Sequence, residues 1–205
     1  MPAKQRTAQN DLFGGAVLPD GFAYREAVLS EAEAAATVRN FEALPFKPFE
    51  FHGYLGNRRV VSFGWRYDYS GRALRDSMPL PEFLLEMRDI AAEFADIPAL
   101  SLQQALVTEY APGAGIGWHR DKPMFEDVIA FSFLSACGLR FRRKSQNGWE
   151  RAVVSVAPRS IYLLRGPARS EWYHSIPPMK TLRYSVTFRN FTEKYIRNKE
   201  PMSEG

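Results

Sequence analysis

The spacing of apolar residues divides the chain into a helical first part and a strand-rich second part. In the first part, Ser30 and Glu33 form a capping box in front of EAEAAATVRNF, which predicts a helix that ends before Pro45. A second helix is predicted with Pro81 in its first turn, because apolar residues then recur at helical spacing until Pro98.

After Leu100 the pattern changes to short apolar runs bounded by Gly, Pro and Asn. Strands are predicted for LQQALVTEY, VIAFSFL, LRFRRK, ERAVVSV, SIYLLRG and RYSVTFR. No helical pattern is inserted between these runs, which argues against a parallel α/β sheet. We therefore expect a mainly β fold of the α+β type, an antiparallel barrel or jelly roll with the N-terminal helices packed against one outer face.

Composition favours a single domain over residues 1–205, with polar tails at about 1–10 and 195–205. The 205 residues are 45% hydrophobic and 24% charged, and no repeat or Gly/Ser linker interrupts them. No run approaches the roughly 18 apolar residues that cross a bilayer, and the first residues lack a secretory apolar region. We expect a cytoplasmic monomer without a membrane partner. The net charge of +4 permits a polyanionic partner without requiring one.

Metal chemistry in this chain has to use His, Asp and Glu, because Cys137 is its one cysteine. His119 and Asp121 are two residues apart and point the same way if the segment is extended. His174 follows after several predicted strands. Two imidazoles and a carboxylate are the facial triad of non-haem Fe(II) oxygenases. A chance HxD tripeptide with a structural histidine, or a zinc hydrolase site, is the alternative at this point.

The last predicted strand, RYSVTFR, has a polar and an apolar face. Strict alternation puts Tyr184, Val186 and Phe188 on the apolar face. The polar face carries Arg183, Ser185, Thr187 and Arg189. A strand rises about 3.3 Å per residue, so the two arginine side chains leave a gap of roughly 7 Å, which suits a short dicarboxylate. The alternative is an edge strand with two arginines in solvent.

These motifs, in their order and spacing, resemble the AlkB family of Fe(II)- and 2-oxoglutarate-dependent dioxygenases. The resemblance covers roughly residues 60 to 191 and rests on EYAPGAGIGWHRDK, on His174 and on RYSVTFR. It implies a double-stranded β-helix, with O2 as a cosubstrate. It further implies that His119, Asp121 and His174 bind Fe(II), with no catalytic residue beyond these ligands.

The resemblance also implies how 2-oxoglutarate binds. Arg183 would pair with the distal carboxylate, Arg189 would lie nearer the metal, and Tyr110 would donate a hydrogen bond. Thr108 and Ser185 stand where nucleic-acid repair members have asparagine. Both residues keep a hydrogen-bonding group but shorten its reach, which predicts cosubstrate binding with altered geometry.

Candidate substrate-binding residues combine aromatic rings and positive charge. Trp65, Tyr67 and Tyr69 alternate with Arg66, and Trp118 precedes the first predicted ligand. Such a mixture suits stacking on a flat base while phosphate is neutralised. A hairpin whose aromatic residues pack on the core is the alternative for the first three.

A second basic group precedes a predicted turn at Gln146-Asn147-Gly148. It could follow a nucleic-acid backbone or be a solvated hairpin tip, and it consists of Arg140, Arg142, Arg143 and Lys144. His52 matches no motif and is interpreted as structural. Pro123 stands where repair members carry an acidic residue near the target base.

We expect an oxidative demethylase of alkylated bases in DNA or RNA, with nucleic acid as its partner. The alternatives within this chemistry are a protein substrate or a modified tRNA base. A zinc hydrolase would not explain Arg183 and Arg189. A non-catalytic nucleic-acid-binding barrel would need no intact triad.

Overall fold

A computed structural model describes residues 18–51, 54–68, 73–146 and 148–197. Helix α1 (Glu31–Glu42) begins at the N-cap Ser30, as predicted. The Ser30 hydroxyl accepts a hydrogen bond from the backbone N–H of Glu33, and the Glu33 carboxylate accepts one from the backbone N–H of Ser30 at 2.7 Å. These reciprocal bonds satisfy two donors that a helix N-terminus would otherwise leave unpaired.

Helix α2 (Glu82–Ala95) is confirmed, with Pro81 just before its first residue rather than in its first turn. Pro81 is the N-cap and has extended backbone angles, and its carbonyl accepts the first helical hydrogen bond from the N–H of Leu84. The helix ends at Asp96, whose φ of 53° is left-handed, so the chain has already turned when it reaches Pro98.

The strands fill most of the remaining described chain. In chain order they are β1 (Phe22–Arg25), β2 (Lys47–Phe51), β3 (Tyr54–Phe63), β4 (Trp65–Asp68), β5 (Ala73–Asp76), β6 (Leu102–Tyr110), β7 (Ile116–His119), β8 (Phe125–Phe133), β9 (Cys137–Ser145), β10 (Gly148–Val156), β11 (Ile161–Leu164), β12 (Tyr173–Ile176) and β13 (Arg183–Phe191). Three short helices connect or follow them: a 3₁₀ turn (Ala99–Ser101), α3 (Pro167–Ser170) and α4 (Glu193–Arg197).

Two antiparallel sheets build the jelly roll. Within the described residues, the large sheet has the order β1-β11-β8-β13-β6-β3-β2 and the small sheet the order β10-β9-β12-β7. Strands β4 and β5 form a separate hairpin. Apart from the pairs β2–β3 and β9–β10, neighbouring strands in the two sheets are not consecutive along the chain, as in a double-stranded β-helix. The predicted mainly β architecture with N-terminal helices is confirmed.

The large sheet separates two hydrophobic cores. On its outer face, residues of α1 and α2 such as Phe41 and Leu84 pack against Tyr184, Val186 and Phe188 of β13. On its inner face, a second core lies between the two sheets. The polar face of β13 therefore points into the barrel, where its charged groups need partners.

Candidate metal and cosubstrate site

Strands β7 and β12 bring the two candidate histidine ligands together. His119 ends β7 and pairs in register with His174 of β12, and their ring centroids are 4.2 Å apart. Asp121 lies two residues beyond β7, and its Oδ2 is 3.4 Å from Nε2 of His174. Ligand atoms of all three residues lie within 4.8 Å of one another. This spacing allows them to share one metal ion.

His119 is oriented and held neutral for metal binding. Its Nδ1–H donates a hydrogen bond to the carbonyl of Gly117 at 2.9 Å, which leaves Nε2 unprotonated as the ligand atom. Desolvation, followed by repulsion from His174, lowers the pKa of His119 to about 4. The imidazole can therefore bind a cation at neutral pH without first losing a proton.

Asp121 is ionised although it is buried. Burial by itself raises the pKa of this carboxyl group, but Arg189 and the two imidazoles more than offset it and hold the pKa well below its usual range. Arg189 Nε donates to Asp121 Oδ1 at 2.8 Å, and Arg189 Nη1 donates to the Gln104 side-chain carbonyl at 2.8 Å. Gln104 and Arg189 thus orient the carboxylate.

At the other end of the same strand face, Arg183 is fully buried with 0% exposure. Its Nε donates to the Ser132 hydroxyl at 3.0 Å, and its Cζ lies 5.1 Å from the centre of the Tyr110 ring. In the described chain, Nη1 and Nη2 have no hydrogen-bond partner. A buried guanidinium with two unpaired donors is costly, so this site fits a carboxylate of a bound anion.

Further polar groups line the barrel between the two arginines. Ser185 lies opposite Thr108 of β6 and Ser132 of β8, and all three are buried. Burial raises the pKa of Tyr162 and of Cys137, although Arg183 partly opposes both shifts. These groups stay neutral at neutral pH, which leaves Arg183 as the charge that a bound carboxylate would meet.

Trp65 connects the β4–β5 hairpin to the end of the barrel where Arg189 and Asp121 lie, which we call the metal end. Its ring meets Phe191 edge to face at 6.1 Å, and Phe191 stacks on Phe125 at 5.4 Å. Arg189 in turn lies 5.3 Å from the Phe125 ring. Both the predicted hairpin and some packing of Trp65 are therefore present. Tyr69 and the side chains of Arg66 and Tyr67 lie outside what the structure describes.

Trp118 lies on the opposite face of β7 from His119. Its ring packs 4.4 Å from the guanidinium of Arg142 and 5.3 Å from that of Arg140. It therefore does not join the candidate metal ligands. Two residues that sequence reasoning overlooked, Gln104 and Ser132, do join the inner polar face. Alternation along LQQALVTEY and VIAFSFL is the signal that could have found them.

An antiparallel double-stranded β-helix with a His-x-Asp…His group and a buried unpaired arginine defines a non-haem, dicarboxylate-using oxygenase fold. Residues 23–189 match the family model of the 2OG-Fe(II) oxygenase superfamily, and the chain belongs to that superfamily. The predicted class, an oxygenase dependent on Fe(II) and 2-oxoglutarate, is thereby confirmed.

Two relatives align with the chain at 31% identity. One is the alkylated DNA repair protein ALKBH8 homolog of Arabidopsis thaliana, in an alignment 175 residues long that covers 70% of this chain and 51% of that protein. The other is the uncharacterized protein L905 of Acanthamoeba polyphaga mimivirus, in an alignment 107 residues long that covers 46% of this chain and 51% of that protein. The chain thus spans about half the length of these relatives.

Solved structures with the same fold have low sequence identity. OsALKBH1 matches with a TM-score of 0.64 and 16% identity, covering 85% of this chain and 98% of that one. A prolyl hydroxylase from Trichoplax adhaerens, solved with a hypoxia inducible factor peptide, matches with a TM-score of 0.61 and 15% identity, covering 88% of each chain. These structural matches confirm the fold, and the family model with the ALKBH8 homolog at 31% identity supports the AlkB-like resemblance. Among the described residues, no helix is long and apolar enough to span a membrane.

Proposed function

We propose that this protein is an Fe(II)- and 2-oxoglutarate-dependent dioxygenase that oxidatively removes alkyl groups from nucleic-acid bases. The observation that carries the proposal is the pair of Arg183 nitrogens that have no partner in the described part of the chain, in the same barrel as the His119, Asp121 and His174 group. A zinc hydrolase would use the three ligands but would have no need of a buried cation aimed at an absent anion.

In this proposal, His119, Asp121 and His174 bind Fe(II) through two imidazoles and one carboxylate. Bound iron supplies redox chemistry and open positions for 2-oxoglutarate and oxygen. Arg189 and Gln104 keep the Asp121 carboxylate ionised and oriented. The protein's contribution is therefore a preorganised ligand set that needs no proton release from His119.

Arg183 binds the distal carboxylate of 2-oxoglutarate through its two unpaired nitrogens, as a bidentate pair. Ser132 fixes the guanidinium through Nε, so the remaining donors face the carboxylate. Tyr110, Thr108 and Ser185 supply hydroxyl groups along the same inner face. Thr108 and Ser185 reach less far than asparagine would, which leaves the guanidinium as the main anchor.

The overall reaction balances as follows. 2-Oxoglutarate loses CO2 and becomes succinate, which takes one oxygen atom of O2, and the other atom is inserted into a C–H bond of the substrate. Where the oxidised carbon is attached to nitrogen, the hydroxylated group leaves as an aldehyde and the dealkylated amine remains. Trp65 and Arg66 with Tyr67 and Tyr69 are the proposed contacts to the base.

The support for a nucleic-acid substrate is chemical and comparative. The Arabidopsis relative is named as an alkylated DNA repair protein. The chain carries a net charge of +4, and the segment from Trp65 to Tyr69 combines aromatic and basic residues in sequence. The Trp65 ring itself packs on Phe191. Pro123, which replaces an acidic residue, argues for a base contact that differs from that of the repair members, so a tRNA base belongs among the substrates to be tested.

The decisive experiment reconstitutes the protein with Fe(II) under argon and titrates 2-oxoglutarate while following the metal-to-ligand charge-transfer band. Air is then admitted, and succinate is measured against methylated DNA, RNA and tRNA oligonucleotides and methylated peptides. We expect the band in wild type, and formaldehyde from a nucleic-acid substrate. Turnover of peptides alone would contradict the substrate. Hydrolysis supported by Zn²⁺ without a band would contradict the reaction.

A further inference from the structure

The small sheet has an outer face, on the side away from His119, Asp121 and His174. Along β9, Leu139 and Phe141 point into the barrel core, whereas Arg140 and Arg142 alternate with them and point outward. We call this outer side the arginine-aromatic face. It is defined by Arg120, Arg140, Arg142, Arg151, Trp118, Trp149 and Tyr173.

Arg142 lies at the centre of this face, among three aromatic rings. Its Cζ is 4.4 Å from the Trp118 ring centre, 4.6 Å from that of Trp149 and 5.7 Å from that of Tyr173. Arg120 covers the Tyr173 ring at 4.7 Å. Rings hold guanidinium groups in place by cation–π attraction without neutralising their charge.

The charges of the face lack acidic partners. Within the described part of the chain, no ion pair joins Arg120, Arg140 or Arg142 to a carboxylate, and Nε of Arg142 is buried without a hydrogen-bond partner. Arg143, the next residue of β9, differs completely, because it pairs with Glu150 at 2.8 Å and with Glu171 at 2.7 Å. Positive charge is thus left uncompensated on one side of the strand only.

We propose that the arginine-aromatic face binds single-stranded nucleic acid. Phosphates pair with the unneutralised guanidinium groups, and bases stack on Trp149, which is 42% exposed. Tyr173, Arg142 and Arg151 lie in register on β12, β9 and β10, and Arg120 follows β7, so the row crosses four strands, about 14 Å at the usual strand spacing. An acidic protein would use the charge but would gain little from exposed rings between the charges.

The position of the face gives it a role in delivering substrate, and this role rests on the proposed function. Trp118 and Tyr173 are the chain neighbours of His119 and His174 and point to the opposite side of the sheet. Strand β7 is an edge of the small sheet. A nucleic-acid strand held on the outer face therefore passes round β7 to reach the metal side, so the face anchors the substrate outside the reaction site.

Binding is measured without turnover, in the absence of O2, by fluorescence anisotropy of unmodified 12-nucleotide single strands with the full chain. Trp149→Ala should weaken binding about fivefold or more, as loss of one stacked base predicts. Arg142→Gln with Arg151→Gln should weaken binding at least tenfold and reduce the slope of log K against log salt by about 1.4, because two phosphate contacts are lost. Arg151 is exposed, so Arg151→Gln alone tests charge without risk to the fold.

The matched control is Arg39→Gln in α1, which removes the same charge from an exposed position on the helix that packs on the other sheet. It should leave affinity within twofold. This inference would be overturned if Arg142→Gln/Arg151→Gln bound as tightly as wild type, or if wild type bound no single strand at any salt. Competition by poly-glutamate as strong as that by an unlabelled single strand would overturn it too. Failure to demethylate any oligonucleotide would overturn the proposed function, whereas face-dependent anisotropy in that case would still support binding here.

Discussion

Two arginines near opposite ends of β13 differ in how their guanidinium nitrogens are hydrogen-bonded. Arg189 donates from two of its nitrogens, with Nε bound to Asp121 and Nη1 bound to Gln104. Arg183, six residues earlier on the same face, is fully buried, and two of its nitrogens have no partner among the described residues. Both lie on a nine-residue strand between β6 and β8, so backbone structure does not explain the difference.

The protein itself supplies an acidic partner for Arg189, whereas the partner of Arg183 is left to a ligand. At the Arg189 end, charge is balanced inside the chain, and the metal-ligand carboxylate is held before any metal binds. At the Arg183 end, the cost of an unpaired buried cation is carried by the rest of the fold and is recovered when an anion binds. Substitution of Arg189 should therefore reduce the stability of the apo protein, whereas substitution of Arg183 should reduce 2-oxoglutarate binding without a loss of stability.

The largest effect is expected for Asp121→Ala, which removes a proposed metal ligand and leaves Arg189 without its acid. Fe(II)-dependent turnover should fall below detection, and the apo protein should lose about 3 kcal/mol of unfolding free energy in urea. Asp121→Asn, which keeps an acceptor for Arg189, should lose turnover with a smaller loss of stability. Full activity of Asp121→Ala would remove Asp121 from the metal site.

Next in size is the exchange of the two arginines for methionine. Arg183→Met should weaken 2-oxoglutarate binding more than 100-fold, and Arg183→Lys should weaken it less, because lysine lacks the bidentate fork. The apo protein should lose no stability, since an unpaired buried charge disappears. Arg189→Met should instead destabilise the apo protein. Isothermal titration and urea unfolding measure both, and equal apo destabilisation by the two exchanges would contradict the comparison.

A smaller effect is expected at Gln104, which supports Arg189 without touching the proposed ligands. Gln104→Leu leaves Nη1 of Arg189 unpaired, and should cost about 1 to 2 kcal/mol of stability. It should also weaken metal binding about tenfold, as loss of an outer partner does. Gln104→Glu keeps an acceptor and serves as the control, with metal binding measured by competition with a chelator. Unchanged affinity in Gln104→Leu would show that Arg189 holds Asp121 unaided.

The smallest effect is expected for the hydrogen bond between Arg183 and Ser132. Ser132→Ala removes the acceptor for Nε and should raise the dissociation constant of 2-oxoglutarate only a few-fold, because the two nitrogens proposed to hold the carboxylate remain. Saturating 2-oxoglutarate should still stabilise this variant, by about 2.7 kcal/mol at 100 times its Kd. A loss of binding as large as in Arg183→Met would mean that Ser132 contacts the ligand itself.

Local patterns in the sequence determined the elements and the chemical types of the site. The capping box at Ser30, the alternation along β13 and the HxD spacing each depend on residues a few positions apart, so they can be identified without knowing the fold. The same alternation indicated that Tyr184, Val186 and Phe188 would face the helices while the arginines faced inward. Strands β7 and β12 were missed because neither IGWH nor YHSI is an apolar run, whereas the equally short β11, IYLL, is apolar throughout. Strands β1, β2 and β3 were missed as well, in the part of the chain predicted to be helical.

Only the tertiary structure decided which of these groups meet. The register of β12 on β7 places His174 beside His119, and the pairing of β13 with β6 gives Arg189 the partner Gln104. Trp118 lies on the outer face next to Arg142, whereas Trp65 lies toward the metal end, although both had been predicted as substrate contacts. Partners across strands are separated by long stretches of chain, and their register depends on the packing of the whole barrel, which no local period encodes.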